Sequence, residues 1–433
     1  MPGKVSRRTF TKAGAAAMGL AAVSASRVLG ANEKVRLGFI GVANRGGQLM
    51  DAFREHADAE FVVLCDVDRN ILAAAAKKAG GAVETCSDFR KLYERKDLNA
   101  VVIATPDHWH AIQTVEACEA GLDVYVEKPL SITVKEGRRM VEAARRKKRI
   151  VQVGLHRRSS PLYADLAKLI GGGKIGKVTV ARCYRLSNMH PAGIGKCDAA
   201  KPPAHLDWDM WLGPRPARPY QENIHPYKFR WWHLYSSQMA NWGVHYLDAI
   251  RWATGEQAPV SVCAMGGRFA VDDDRTVPDT MEAVFEFPSG RLAVFGQYEG
   301  SGNPALASGE VEFRGTQGTI YSSERTFQIV PERGGQFQDR EPRMKPETVS
   351  VKGSNQGLTA LHARDFLDCV KSRKAPHADV EIGHRSTTLA LLANISLATR
   401  QRLEWDAATE TITNSPDASK LLHYDYRKPW VLR

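Results

Sequence analysis

Three parts of the chain carry side chains that can bind a hydroxyl group and exchange its proton. Glu127-Lys128-Pro129 comes directly after one short apolar run, and Thr105-Pro106, with His110 downstream, follows another. Asn241 and His245 are four residues apart in a stretch with helical spacing, so they lie on one face of that helix. A lysine amine or an imidazole can move a proton, whereas an amide can only orient the hydroxyl.

Each of these residues also has an ordinary structural interpretation. A single histidine on a partly apolar helix is more often a hydrogen-bonded core residue than a catalyst, and a lysine after a strand can be a plain surface residue. A chemical role therefore depends on the elements that would bring these side chains together.

Strand and helix patterns alternate from residue 34 to about residue 155. Short apolar runs predict buried strands at 35–40, 60–65, 100–104, 122–126 and 150–154, and helical spacing predicts helices at 45–56, 109–120 and 133–148. Repeated units of this kind imply a parallel sheet with right-handed crossovers, and ligands bind such sheets at the carboxyl ends of the strands. Lys128 and Thr105 are both at those ends.

The turn after the first strand has the composition of a dinucleotide-binding loop. Gly41 permits a tight turn, and Gly46 lets the next helix begin close to the strand with its free amides facing a pyrophosphate. Ala43 replaces the middle glycine of the usual fingerprint, and Asn44 and Arg45 complete the loop.

The end of the second strand bears on the choice of dinucleotide. Asp66, 25 residues after Gly41, stands where a carboxylate would accept hydrogen bonds from the adenosine ribose. This favours NAD. Arg69, three residues further on, could instead meet a 2′-phosphate, so NADP stays open.

These residues together resemble the glucose-fructose oxidoreductase, inositol dehydrogenase and MocA (Gfo/Idh/MocA) family. The marks are the glycine loop, Thr105-Pro106 with His110, Glu127-Lys128-Pro129, and the segment 241–248, which reads Asn-Trp-Gly-Val-His-Tyr-Leu-Asp. The resemblance implies an NAD(P)-dependent enzyme that oxidises or reduces sugars, polyols and related compounds. It also implies a carboxy-terminal domain whose open sheet often builds a homodimer or homotetramer.

The resemblance also assigns roles to individual residues. Lys128 matches the catalytic lysine and His245 the catalytic histidine, and Asn241 stands where the family commonly has aspartate. An asparagine cannot accept the hydroxyl proton at neutral pH, so this departure puts a simple acid/base relay in doubt. The residues expected to bind the cofactor are Gly41, Ala43, Asn44, Arg45, Gly46, Asp66, Arg69, Thr105, Pro106, His110, Glu127 and Lys128.

Beyond residue 155 the pattern changes to neighbouring short strands. Strands are predicted at 177–185, 259–268, 280–287, 291–298, 309–315 and 318–322, and helices at 159–170, 236–254, 357–372 and 382–400. Such runs indicate an antiparallel sheet. The predicted fold class is therefore an α/β Rossmann domain, residues 34–155, followed by an α+β domain with an open, mainly antiparallel sheet, residues 156–433.

A long irregular stretch that ends near residue 235 is rich in aromatic residues. Most of these rings are expected to bury the loop, whereas Trp231, Trp232 and His233 are expected to meet the C–H faces and hydroxyls of a carbohydrate. The residues expected to bind substrate are Lys128, Trp231, Trp232, His233, Asn241 and His245.

Three functions remain open from the sequence. In the first, hydride passes between NAD(P) and a carbohydrate hydroxyl while Lys128 holds the hydroxyl proton, His245 shares it and Asn241 orients the hydroxyl. In the second, a tightly held cofactor takes back its hydride within one cycle, as a coupled sugar oxidoreductase or a glycosidase with a keto-sugar intermediate would require. In the third, the chain binds carbohydrate without chemistry, an interpretation that the Asn241 departure supports.

The first 31 residues are predicted to be a twin-arginine signal peptide. The segment 6–12, Ser-Arg-Arg-Thr-Phe-Thr-Lys, precedes an apolar stretch at 13–23 that is too short to span a bilayer. This predicts export of the folded protein to the periplasm or beyond, without a membrane anchor.

The remaining composition excludes several other classes of protein. Without the five basic residues of the leader the formal charge falls from +12 to +7, and the run 145–149 lacks the interleaved aromatics that would stack on bases. No nucleic-acid partner is expected. The seven cysteines show no CxxC pair and no zinc spacing, so neither a disulfide framework nor a metal site is predicted.

Overall fold

A parallel sheet forms the amino-terminal part of the protein in the computed structural model, which describes residues 33–80, 83–350 and 357–433. Its strands are β1 (Val35–Ile40), β2 (Ala59–Cys65), β3 (Glu84–Cys86), β4 (Ala100–Ile103), β5 (Asp123–Val126) and β6 (Val151–Val153). They lie in the order β3-β2-β1-β4-β5-β6, all parallel. The reversal of strand order between β1 and β4 opens a crevice at their carboxyl ends.

Helices cover both faces of this sheet, as the buried runs of its central strands require. They are α1 (Asn44–Arg54), α2 (Arg69–Ala79), α3 (Arg90–Tyr93), α4 (His110–Glu119) and α5 (Val134–Arg146). Asp68 caps α2 by accepting from the amides of Asn70 and Ile71, and Thr133 with Glu136 forms a capping box at α5. The boundaries of α2 are thus set by polar residues that the hydrophobic pattern does not reveal.

A large mixed sheet forms the second domain. Its strands are β7 (Val178–Asn188), β8 (Ser261–Gly267), β9 (Thr280–Glu286), β10 (Leu292–Tyr298), β11 (Gly300–Ser301), β12 (Val311–Gly315), β13 (Gly318–Ser322), β14 (Thr326–Pro331), β15 (Glu347–Ser350), β16 (Leu403–Asp406) and β17 (Thr411–Ile412). The order is β15-β14-β13-β12-β7-β10-β9-β8-β16-β17, with β11 on β7. Strands β7 and β10 run parallel, whereas the other neighbouring strands of this sheet run antiparallel. The predicted fold class is confirmed.

Six α-helices follow the first domain in the described part of the chain. They are α6 (Pro161–Gly171), α7 (Trp208–Leu212), α8 (Val244–Thr254), α9 (Leu358–Ser372), α10 (Val380–Thr399) and α11 (Pro416–Lys420). Helices α6, α8, α10 and α11 share a hydrophobic core with the second sheet. Helix α10 packs against both α5 and α8. Helix α9, predicted to belong to the second domain, contacts the turn His156–Ser159 and also packs its apolar face against α1 and β1 of the first domain.

Local details also differ from the prediction. The predicted helix at 236–254 begins at residue 238 and is continuous, but Met239–Gly243 has π-helical geometry directly before α8. Such turns are frequent at functional sites. Helices α2 and α3 and the short strands β3, β11 and β14 to β17 were not predicted. The strands and α3 have two to six residues each, too few to show a clear period, whereas α2 has 11 residues and was missed.

Membrane spans and metal sites were sought in the part of the chain that the structure describes. No helix there is long and apolar enough to cross a bilayer, and no cluster of histidine, cysteine, aspartate or glutamate could hold a metal ion. The predicted leader lies outside the described residues.

The packing of α9 on the first sheet can be tested at Phe366. This ring is fully buried and lies 6.1 Å from Phe53 and 5.8 Å from Tyr125, between ring centroids. We expect Phe366→Ala to lower the free energy of unfolding by about 3–5 kcal/mol in a urea titration, because it opens a cavity in the core of the first domain. Leu361→Ala on the exposed side of the same helix should cost little, and equal losses would contradict this packing.

Candidate cofactor and active site

A cleft runs between the two domains along the carboxyl ends of the parallel strands. It has an open volume of about 1320 Å³. Eleven residues predicted from the sequence line it: Gly41, Ala43, Asn44, Arg45, Asp66, Thr105, Pro106, Glu127, Lys128, Asn241 and His245. The others do not: Gly46, Arg69, His110, Trp231, Trp232 and His233.

The glycine loop is shaped by two close backbone approaches. Gly41 has φ +81°, and a Cβ there would lie 2.8 Å from the backbone of Ala104 and Thr105. A Cβ on Gly46 would lie 2.0 Å from the carbonyl oxygen of Gly41. Helix α1 begins after extended Ala43 without a side-chain cap or an acidic residue in its first turn. Its free amides therefore suit the pyrophosphate of a dinucleotide.

Asp66 stands at the end of β2 with its carboxylate at the cleft. Its Oδ2 accepts from the amide of Val42 at 2.9 Å, and its Oδ1 accepts from the amide of Asp68 at 3.0 Å. Burial raises the pKa of Asp66 to about 6. Arg69 does not line the cleft, and its guanidinium donates to the carbonyl of Ala204 in the second domain at 2.5 Å.

Glu127 is a buried carboxylate held between two cations. It accepts from Nε of Arg45 at 2.7 Å and from the amide of Lys128 at 3.2 Å. Burial raises the pKa of Glu127, but the charges of Arg45 and Lys128 outweigh burial and lower it overall. The carboxylate fits because residue 154 is glycine, where a Cβ would lie 2.9 Å from it.

The Lys128 ammonium crosses the cleft and meets the second domain. Its Nζ donates to Oδ1 of Asn241 at 2.5 Å and to the carbonyl oxygen of Asn241 at 3.0 Å. Burial lowers the pKa of Lys128 to about 8, although Glu127 acts to raise it. The amine is therefore poised to exchange a proton near neutral pH.

The Asn241 amide is oriented from behind by a chain of buried polar groups. Its Nδ2 donates to Oε1 of Gln238 at 3.4 Å, and Nε2 of Gln238 donates to Oε1 of Glu299 at 2.8 Å. Glu299 also accepts from the fully buried Arg275. Since the amide nitrogen is held by Gln238, the amide oxygen faces Lys128.

His245 is 5% exposed and its Nδ1 has no hydrogen-bond partner among the described residues. Its ring lies 4.9 Å from that of His156, between centroids. Burial lowers the pKa of His245 well below its usual value, and the Lys128 charge adds to this. The imidazole is therefore neutral at pH 7, and the residue lines the cleft.

His110, expected to bind the cofactor, is fully buried instead. Its Nδ1 lies 2.8 Å from the carbonyl oxygen of Pro129 and its Nε2 lies 3.0 Å from that of Thr105. The ring thus ties together the two loops that follow β4 and β5. The sequence alone does not reveal that His110 lies behind the cleft, because its two partners come from different loops.

Trp231, Trp232 and His233 do not reach the cleft, contrary to expectation. The indole of Trp231 donates to Glu299 at 3.0 Å, that of Trp232 donates to the carbonyl of Asn223 at 3.0 Å, and His233 is exposed. These residues bury the loop or face solvent. The same loop instead presents Trp211, His225, Tyr227, Phe229 and Arg230 to the cleft. Nothing in the aromatic composition distinguished the two sets.

The fold and the cleft define a two-domain protein with a dinucleotide site at its interface. Three models of one family match the chain: an oxidoreductase family with an NAD-binding Rossmann fold at 35–155, a GFO/IDH/MocA carboxy-terminal domain at 163–321, and a carboxy-terminal alpha/beta domain of the oxidoreductase family at 351–432. The chain belongs to the Gfo/Idh/MocA family of oxidoreductases. Its first domain is an NAD-binding Rossmann domain.

Similar proteins include dehydrogenases and a glycosidase. The chain is 33% identical over 170 residues to inositol 2-dehydrogenase 4 of Saccharopolyspora erythraea, which is 38% of this chain and 48% of that one. It is 34% identical over 122 residues to an alpha-N-acetylgalactosaminidase of Shewanella oneidensis, 26% of this chain and 27% of that one. The chain thus spans half or less of the length of these relatives.

Similarity to solved structures extends over most of the fold. Levoglucosan dehydrogenase, in complex with NADH and levoglucosan, superposes with a TM-score of 0.66 at 20% identity, covering 86% of this chain and 99% of that one. At this identity the match establishes the shared fold.

The orientation of Asn241 by Gln238 can be tested through the titration of Lys128. Reaction of Lys128 with acetic anhydride, followed by peptide mass spectrometry across pH, should show a midpoint near 8 in the native protein. In Gln238→Leu the amide of Asn241 can turn, the ammonium loses a fixed acceptor, and the midpoint should fall. Gln257→Leu, at an exposed glutamine, is the control. An unchanged midpoint in Gln238→Leu would refute the orienting role.

Proposed function

We propose that this protein is an NAD-dependent oxidoreductase that transfers hydride to or from a hydroxyl-bearing carbon of a sugar, polyol or glycoside. The observation that carries the proposal is the Lys128 amine in the cleft, beside the glycine loop and with a pKa lowered to about 8 by burial. The inositol dehydrogenase and levoglucosan dehydrogenase similarities support a carbohydrate substrate.

The residues at one end of the cleft fit the cofactor. The uncapped start of α1 and the glycine loop would hold the pyrophosphate, and Asp66 would accept from the adenosine ribose. When bound, NAD supplies the acceptor or donor of hydride. Thr105 and Pro106, together with Glu127, line the strand ends beyond the loop and would bound the site on that side.

Lys128 and His245 would handle the hydroxyl proton. With a pKa of about 8, about one tenth of Lys128 is the neutral amine at pH 7, and this form takes the proton from an alcohol. The ammonium form returns it in the opposite direction. Neutral His245, which lines the cleft, accepts a hydrogen bond from the same hydroxyl or shares its proton, and Asn241 keeps the lysine aligned.

The role of Lys128 is tested by Lys128→Met in the full protein. NAD binding should stay within about threefold of the native value, whereas turnover on a sugar and polyol panel should fall by about 10²–10⁴. Alcohol oxidation by the native enzyme should rise with pH through about 8, as the amine becomes neutral. The matched control is Lys168→Met, at an exposed lysine of α6. Retained turnover in Lys128→Met removes the assignment, and a native protein that binds sugars without reducing NAD is a non-catalytic module.

A second candidate is a redox-neutral enzyme that keeps its cofactor, and one structural feature favours it. A loop of the second domain crosses the end of β2: the amide of Arg69 donates to the carbonyl of His205 at 2.9 Å, and the amide of Asp207 donates to that of Val67 at 3.0 Å. His225 lies 3.2 Å from the carboxylate of Asp68. This adenosine strap, residues 204–226, contributes His225 and Pro226 to the cleft wall and would slow the release of a nucleotide bound at Asp66.

Cofactor retention and net reaction separate the two candidates. A retained cofactor predicts that native protein co-purifies with NAD, identified by mass spectrometry, and hydrolyses a glycoside such as an N-acetylgalactosaminide over many turnovers without added NAD. Arg69→Ala, which removes the bond to Ala204, should lose NAD faster during dialysis, whereas Asn70→Ala, at an exposed neighbour, should not. An NAD-free purified enzyme that depends on added NAD at every turnover would exclude this candidate.

Export and assembly are also proposals. The arginine pair and apolar stretch of the leader support twin-arginine export to the periplasm or beyond, which cell fractionation would test. Exposed Met265 and Phe269 at the end of β8 support a homodimer or homotetramer, which light scattering of the purified protein would test.

A further inference from the structure

Arg230 lines the same cleft as Lys128 and has no acidic partner. It lies on a single helical turn, Lys228–Trp231, of the aromatic loop. Within the described ranges, no carboxylate forms an ion pair with it, whereas Arg45, on another wall of the cleft, is paired with Glu127. A cation at a ligand cleft without a counter-charge is a candidate for binding an anionic ligand.

Two aromatic rings and one hydrogen bond hold the guanidinium of Arg230 in place. Its central carbon lies 4.2 Å from the ring centroid of Tyr227 and 4.6 Å from that of Phe229, and Nη1 donates to the carbonyl of Tyr227 at 2.9 Å. Aromatic rings cover the faces of the planar group, whereas its N–H donors lie in the plane. One donor is used, so the remaining edge can bind a carboxylate or phosphate in bidentate fashion.

The position of Arg230 is at the proton-transfer end of the cleft. Burial lowers the pKa of Lys128, and the Arg230 charge lowers it further; the same charge acts on Asp107. Arg230 lines the cleft together with Lys128, Asn241 and His245. The cation therefore lies in the part of the cleft that holds the proposed proton-transfer groups.

The carboxylates near this end have other partners. Asp107 is buried and accepts from the hydroxyl of Ser236, and burial raises its pKa. Glu127 pairs with Arg45 and also compensates the charge of Lys128. A neutral sugar would leave Arg230 without an ion-pair partner in the cleft, whereas an acidic sugar would supply one.

We propose that the substrate of this protein is an anionic carbohydrate, one that carries a carboxylate or a phosphate, and that Arg230 binds its charged group. The inference rests on the proposed function and names the substrate class for that same site. A planar guanidinium binds the oxyanion of either group. Experiment distinguishes a substrate carboxylate from a substrate phosphate.

Binding to the purified protein loaded with NAD is measured by calorimetry with three probes: D-glucuronate, D-glucose 6-phosphate and D-glucose. We expect at least one anionic probe to bind more tightly than D-glucose, and the better of the two identifies carboxylate or phosphate as the group recognised. Equal or tighter binding of D-glucose, or no binding of either anion, overturns the inference. Neither result bears on hydride transfer, which the Lys128 variant tests separately.

Arg230→Met should weaken binding of the preferred anion by about tenfold to a hundredfold, as expected for the loss of a charge-assisted pair. Arg230→Lys should lose less. Arg218→Met is the matched control, because Arg218 belongs to the same loop and lies over Trp232 at 4.5 Å without lining the cleft. Unchanged anion affinity in Arg230→Met overturns the inference, and so does an equal loss of NAD affinity, which would assign Arg230 to the cofactor phosphates.

Discussion

Groups from both domains stabilise the Lys128 ammonium, which is withdrawn from solvent in the cleft. Withdrawing an ammonium from water costs several kcal/mol unless hydrogen bonds and opposite charge replace the solvent. Asn241 of the second domain supplies two oxygen acceptors, and Glu127 supplies negative charge from the end of β5. The ammonium has these hydrogen bonds only when the two domains are in contact. The Lys128–Asn241 contact therefore both positions the amine and joins the two walls of the cleft.

The docked arrangement is maintained by elements that cross between the domains. Helix α9 comes late in the chain yet completes the core of the first sheet, and α10 packs on both α5 and α8. Tyr426 near the carboxy terminus donates to Glu136 of α5 at 2.5 Å. Three late segments of the chain therefore pack against the first domain and connect it to the second.

The sequence predicted what depends on local chemistry and missed what depends on distant partners. Gly41 and the end of β5 were found because a buried strand followed by glycine or by a charged residue is a local signal. The adenosine strap, the exposed position of His233 and the burial of His110 between two carbonyls depend on contacts between residues far apart in the chain. Arg230 was missed because an unpaired cation is recognised only when every neighbour is known.

At Asn241, where the family commonly has aspartate, contacts with residues distant in the chain explain how the substitution can be accommodated. An aspartate at this position would pair with Lys128 and raise the pKa of the amine, whereas a neutral amide accepts the same hydrogen bond without that charge. Burial then dominates, and the pKa of Lys128 falls to about 8. An amide, unlike a carboxylate, has one accepting and one donating end, so it must be oriented. Gln238 does this, itself held by Glu299 and buried Arg275. The asparagine is therefore compatible with proton exchange by lysine, provided that this buried polar chain stands behind it.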